Sequence, residues 1–316
     1  MDPRLTIAPS VSPEAAAVLG VIGQAIAAMP ERKPPETLAD FDAARARGEA
    51  FAAQVSAGPL QALAPELEDW SANGTPVLTV RPATLQADRA PVVYIHGGGF
   101  VGGSARANLL TAAMAAHTSG RMVHSIDYTL APRARWRDIQ REVVGAWRAI
   151  CERTEAIPGL MGDSAGGCIA AAATLALRDQ DLPGPGALVL FSPVVDLAGE
   201  GDTNLTLAAY DYLDARTLAP ALRAYADPQE WGLPLVSPLK ADFTRGFPSV
   251  LLQVGTREIR LSDSVRLHRA LRAAGQASRL EVYEGMPHVF QPMLALTPEG
   301  QSAWSEVAAF WREHLQ

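Results

Sequence analysis

Gly162-Asp163-Ser164-Ala165-Gly166 restricts the backbone more than any other stretch of this 316-residue chain. It sets one serine between two glycines, after a short strand-like segment and before a helical run over 165–180. A serine hydroxyl is a poor nucleophile until a sharp strand-to-helix turn projects it away from the backbone toward a base. Such a turn crowds neighbouring segments together, and the missing Cβ atoms at 162 and 166 relieve the crowding. Alone, the pattern could equally be a glycine-rich loop that opens a helix.

A second glycine run points the same way. Val92-Val93-Tyr94-Ile95 reads as a short buried strand, and His96-Gly97-Gly98-Gly99-Phe100 follows it directly. Three consecutive glycines leave backbone N–H groups unshielded and free to point into a cleft. Attack on an acyl carbonyl develops negative charge on its oxygen, and donors already aimed at that oxygen stabilise it. Gly98, Gly99 and Ala165, the residue after the serine, are the candidate donors. No G-x-x-x-x-G-K-[ST] phosphate-cradling context is present here.

Six histidines could supply a base. His96 is better placed to brace the glycine loop. His117 falls in a helical stretch, His124 inside an apolar strand, His268 in mid-helix among arginines, and His314 near the end. His288 follows the strand-like run 279–284 and a Gly285-Met286-Pro287 turn, which puts it in a loop at a strand's carboxyl end. Two acids compete to orient it. Glu258 continues from the end of the core strand Val250–Val254, where it could accept a hydrogen bond from the imidazole and fix its tautomer. Asp263 opens an apparent helix, where an acid also serves as a cap or dipole partner.

From residue 77 onward strand-like and helical runs alternate. Strands are predicted at 77–81, 92–95, 122–126, before Gly162, at 187–191, 250–254 and 279–284. Helices are predicted near 106–119, 137–154, 165–180, 263–275 and 301–314. Alternation of this kind implies an α/β fold with a mostly parallel central sheet and helices on both faces. Ligands then bind at the carboxyl ends of the strands, where the glycine loop and all the candidate residues emerge. Two segments fall outside the pattern. Residues 1–70 read as helical, with Phe41, Ala44, Gly48, Phe51 and Val55 forming a stripe; the segment 196–245 holds a helical insert from Thr206 to Ala226.

With these motifs together, the chain resembles the hormone-sensitive-lipase family of α/β-hydrolases, serine esterases with an HGGG oxyanion loop. Asp127-Tyr128-Thr129-Leu130-Ala131-Pro132 looks like that family's D-Y-R-L-A-P segment with threonine for arginine, and Gly285–Phe290 like its histidine loop. The resemblance implies an α/β-hydrolase fold over residues 71–316. It also implies a helical cap, formed by 1–70 and a second segment inserted at about 196–245, whose apolar stripes pack on each other. It favours Glu258, since family members carry the acid about thirty residues before the histidine, more often as aspartate. It implies hydrolysis of short-chain acyl esters through Ser164, His288 and Glu258 by way of an acyl-enzyme, with no metal or organic cofactor. The same chemistry serves lactones and amides, and some receptors resembling the family bind small molecules without catalysis. After Pro132 the family pattern breaks into Arg133-Ala134-Arg135-Trp136-Arg137, with Trp136 a candidate pocket residue and the arginines a solvated loop or an attraction for an acidic substrate.

A net charge of −7 and the lack of any longer basic run argue against nucleic acid as a partner. Cys151 and Cys168 are too few and too poorly placed for a disulfide framework or a zinc site, and both are predicted to pack in the core. The first ten residues carry no leader pattern, so a cytoplasmic location is expected. Residues 15–29 are apolar yet too short to span a bilayer, so no membrane span is expected. That stretch could touch a membrane surface or a partner subunit, which leaves room for a homodimer beside the small-molecule ester.

Overall fold

Among the described residues, eight strands form one sheet in the order β1-β2-β4-β3-β5-β6-β7-β8. The computed structural model describes residues 2–28, 33–213 and 215–315. The strands are β1 (Glu66–Ala72), β2 (Thr75–Arg81), β3 (Val92–Ile95), β4 (Val123–Ile126), β5 (Gly159–Asp163), β6 (Ala187–Phe191), β7 (Ser249–Gly255) and β8 (Ser278–Tyr283). The helices are α1 (Pro13–Ala27), α2 (Leu38–Leu63), α3 (Leu109–Ser119), α4 (Trp136–Thr154), α5 (Ser164–Asp179), α6 (Thr203–Thr206), α7 (Ala215–Tyr225), α8 (Leu261–Ala273), α9 (Phe290–Met293) and α10 (Pro298–His314). Only β2 runs against the rest of the sheet, pairing antiparallel with both β1 and β4.

The central strands are buried throughout because helices cover both faces, and successive side chains on a strand point to opposite faces. Val93, Ile95, Leu160, Leu188, Leu190, Val250 and Leu252 therefore join one core cluster with α4, α5 and α8. Their chain neighbours Val92, Tyr94, Met161, Val189, Phe191 and Leu251 join the other, with α3 and the Trp304, Phe310 and Trp311 rings of α10. Helix α5 is buried from Ala165 to Leu177. Its run of alanines lets the backbone lie close to the sheet, which fixes where Ser164 emerges.

Strand β1 is the main departure from the sequence reading, which assigned residues up to 70 to the helical segment. Asn73 and Gly74 sit at φ 52° and 87°, and Ala72 pairs with Thr75 across them. This is the two-residue turn that Asn-Gly favours, because both positions tolerate a left-handed backbone.

The helical segments also sit differently. Helix α1 and the residues just before it dock Val11, Ala15 and Leu19 onto Met286, Phe290, Leu294 and Ala303, and Ser12 is held by Glu299 through its N–H and hydroxyl at 2.7 and 2.8 Å. Of the stripe expected to face the other cap segment, Phe41 is buried while Phe51 and Val55 stay exposed. Helix α2 meets the core through Leu60 and Leu63 instead. Met29 of the apolar stretch and Asp214 of the insert lie outside the described residues. Among the described residues, no helix is long and apolar enough to cross a membrane.

Candidate active site

Ser164 stands at the junction of β5 and α5 with φ 52°. A non-glycine residue held there costs on the order of 1–3 kcal/mol, so the surroundings must enforce it. They do so through close packing. A Cβ on Gly162 would lie 2.5 Å from the Gly166 carbonyl oxygen, and one on Gly166 would collide with the carbonyls of Ile95 and His96. The turn is closed so tightly against β3 that only glycine fits at either end.

His288 Nε2 lies 2.9 Å from Ser164 Oγ, and its Nδ1 lies 2.8 Å from Glu258 Oε2. A carboxylate can only accept, so Nδ1 carries the hydrogen and the Nε2 lone pair faces the serine hydroxyl. Glu258 is fully buried. Its other oxygen, Oε1, accepts from Gly255 N–H at 2.7 Å and from the Ser192 hydroxyl at 2.8 Å. Burial works to lower the pKa of His288, but the Glu258 hydrogen bond and charge, with Asp211 adding to them, leave it raised above the ordinary 6.5.

Asp263 is not on the imidazole. It is buried at the start of α8, where it accepts from Val195 N–H and the Arg260 guanidinium, each at 3.2 Å. The other histidines are dispersed. His96 is stacked on Tyr128 with its Nδ1 2.8 Å from the Gly97 carbonyl, bracing the glycine loop as the sequence suggested. His124 is bonded to Thr79 at 2.8 Å and His268 to Ser278 at 3.0 Å. His117 is exposed in the last turn of α3, and His314 lies against the Phe310 ring.

The glycine loop turns at Gly98 and Gly99, with φ 120° and 62°. Among the described residues the N–H groups of Gly98, Gly99 and Ala165 have no acceptor. Ala165 lies in the first turn of α5, so the positive end of the helix dipole faces the same place. The loop is held from beneath: Asp163 Oδ1 accepts from Gly97 N–H at 3.0 Å and from the Tyr94 hydroxyl at 2.5 Å. Burial raises the Asp163 carboxyl from its usual range, and these two bonds with His96 and His288 oppose it. The Asp127–Pro132 segment braces the loop from the side. Tyr128 donates to the His96 carbonyl at 2.9 Å, and Ala131 N–H to the Phe100 carbonyl at 2.9 Å.

Three contributors escaped the sequence reading. Asp163 carries no role of its own in the elbow motif. Ser192, directly after β6, also accepts from Val289 N–H at 3.1 Å and so ties the acid and histidine loops together. Asp211 sits in the insert, where no local pattern marks it. The arginines after Pro132 have structural partners: Arg133 pairs with Asp42 of α2 at 2.5 Å, Arg135 with Asp227 at 2.9 Å, and Arg137 with Glu230. Trp136 is buried in the core cluster with Arg137 over its ring, which gives it a packing place. Cys168 is buried in α5, its thiol donating to the Val236 carbonyl at 3.3 Å, and Cys151 is half-buried against the same cluster.

The sequence profile of a family described as alpha/beta hydrolase fold matches residues 92–292. An acetyl-hydrolase of Streptomyces hygroscopicus is 35% identical over 240 residues, which cover 74% of this chain and 78% of that one. An ethyl acetate hydrolase of Pseudomonas putida is 28% identical over 72% of this chain and 74% of its own length. Among solved structures, an esterase from the bacterial hormone-sensitive lipase family superposes with a TM-score of 0.85 at 32% identity, covering 96% of this chain and 98% of the other. An elbow serine on a mostly parallel eight-stranded sheet, together with these likenesses, makes the chain a member of the hormone-sensitive-lipase family of α/β-hydrolases.

Proposed function

We propose that this hydrolase is a serine carboxylesterase that cleaves short-chain acyl esters through an acyl-enzyme formed on Ser164. The observation that carries the reading is the continuous line from Glu258 through His288 to Ser164, at 2.8 and 2.9 Å. As Ser164 Oγ attacks the ester carbonyl, its proton passes to His288 Nε2, and the Glu258 carboxylate stabilises the imidazolium. The carbonyl oxygen becomes an oxyanion that accepts hydrogen bonds from the N–H groups of Gly98, Gly99 and Ala165. Collapse of this intermediate expels the alcohol with the proton from His288. Water, deprotonated by the same imidazole, then attacks the acyl-enzyme and releases the acid, returning the proton to Ser164. No step calls for a metal or an organic cofactor.

The preference for short acyl groups is supported by how closely the insert lies over the glycine loop. Tyr225 at the end of α7 stacks on Phe100 at 3.8 Å, and Ala221 would be 4.0 Å from a Cβ at Gly99. The helical residues before β1 and the insert at 196–245 act as the cap over the sheet of the catalytic domain. Relatives named for acetyl and ethyl acetate hydrolysis fit the same substrate class.

A series of p-nitrophenyl esters from acetate to laurate, run beside a lactone and an anilide, tests the proposal. Turnover should be greatest on the short esters and vanish in Ser164→Ala. A fluorophosphonate probe should label Ser164 in the folded protein. Absence of labelling would leave a binding protein on a hydrolase scaffold as the better reading.

A further inference from the structure

The insert after β6 does more than roof the cleft. Two of its side chains grip the two peptide units on either side of Ile259, next to the proposed acid. Ile259 N–H donates to Asp211 Oδ2 at 2.6 Å, while the Ile259 carbonyl accepts from Thr203 Oγ1 at 2.7 Å. Thr203 Oγ1 also accepts from Ser262 N–H at 3.0 Å, in the first turn of α8. The second Asp211 oxygen accepts from Leu213 N–H at 2.8 Å, which fixes the carboxylate within its own segment. Both side chains are buried, Asp211 to 1% exposure. A buried carboxyl is costly to keep unless its hydrogen bonds and charge are used. A hydroxyl would have satisfied one backbone N–H at less cost.

We infer that Thr203 and Asp211 are positioning residues that clamp the backbone on both sides of Ile259 from the insert side, hold Glu258 beneath His288, and bring a second carboxylate within charge reach of the imidazole. The inference rests on the Ser164, His288 and Glu258 reading above. The charges facing His288 come from three elements: the β7–α8 connection, the insert and the end of β5. Glu258, Asp211 and Asp163 are negative toward it, and Arg260 is positive. Burial, with the Glu258 charge adding to it, leaves the Asp211 carboxyl above its usual range, although His288 and the Ile259 and Leu213 N–H groups oppose the rise. Both Asp211 oxygens therefore face donors, an arrangement that favours the carboxylate. The two clamp residues do different work. Thr203 contributes geometry alone, whereas Asp211 contributes geometry and charge.

That difference makes the inference testable in the full-length chain, with p-nitrophenyl acetate as substrate. Thr203→Ala should lower kcat roughly tenfold with little change in KM, because misplacing the acid loop harms the transition state more than ester binding. Its acidic pH limb should stay put, and Thr203→Ser should restore the rate. Asp211→Asn keeps an oxygen for Ile259 N–H but removes the charge. It should lower kcat and also move the acidic limb of kcat/KM to lower pH, since the imidazolium loses a stabilising neighbour. An Asp211→Asn protein with near-native Tm, unchanged kcat and an unmoved limb would overturn the inference. So would a fully active Thr203→Ala, and that pair decides the matter if Asp211→Asn does not fold. Failure of the wild-type chain to label with fluorophosphonate would instead sink the serine-hydrolase reading itself.

Discussion

Ser192 donates its hydroxyl hydrogen to Glu258 Oε1 at 2.8 Å while accepting from Val289 N–H at 3.1 Å. One side chain at the end of β6 thereby sets the distance between the acid loop after β7 and the histidine loop after β8. Ser192→Ala leaves the Val289 N–H unpaired and removes one of two donors to the Oε1 atom. A hydrogen bond to a charged group is worth about 2 kcal/mol. The expected result is a fall in kcat of roughly thirtyfold on p-nitrophenyl acetate, with KM nearly constant.

The two candidate acids separate by experiment. Glu258→Gln should cut kcat/KM by roughly a hundredfold or more, because the imidazole loses its orienting charge. Asp263→Asn should act on folding, since it leaves the buried Arg260 guanidinium, only 3% exposed, without its charge partner. Breaking a buried pair in this way costs about 3–5 kcal/mol, visible as a lower Tm. Near-full activity in Glu258→Gln with loss in Asp263→Asn would reverse the assignment.

The proposed mechanism requires neutral His288, and its pKa is raised above the ordinary 6.5. The acidic limb of kcat/KM should therefore lie above pH 6.5, and Glu258→Gln should move it downward. The linked effect on stability has the opposite sense. The folded chain holds this proton more tightly than the unfolded one, so His288 adds its full increment of stability below its unfolded pKa. That increment is lost as pH rises through the folded value. A kcat/KM profile paired with denaturant titrations at several pH values checks both halves.

Gly166→Ala adds one methyl group where the carbonyls of Ile95 and His96 already stand. Backbone atoms of a central strand cannot move aside as a flexible side chain would. The elbow should open or the chain should fold poorly, at a cost of about 3 kcal/mol or more. Tm and fluorophosphonate labelling should fall together. A native-like, fully labelled variant would contradict the packing described for this turn.

Much of the frame was legible along the chain. The apolar runs 92–95 and 187–191 became strands with those same limits, because short buried strands between helices have few other ways to satisfy their backbone. The elbow, the glycine loop and the His288 loop were marked by glycine spacing, which reflects crowding that only glycine tolerates. The β1 hairpin was also marked, by Asn73-Gly74, but its half-exposed strand lacks the continuous apolar run that identified the others. The apolar stripe of α2 misled, since Phe51 and Val55 face outward and periodicity alone does not say what a helix face will meet.

Sequence by itself determined the alternating α/β order, the turn that presents Ser164, and the set of candidate partners, because each depends on residues close together in the chain. Tertiary structure brought Glu258, which the resemblance favoured, rather than Asp263 against His288; it alone decided that Ser192 and Asp211 bond to the acid loop, and that the arginines after Pro132 pair with Asp42, Asp227 and Glu230. Those contacts join segments dozens of residues apart. A buried hydrogen bond or ion pair depends on which atoms the packed sheet and helices bring within about 3 Å, and nothing local to either partner encodes that distance.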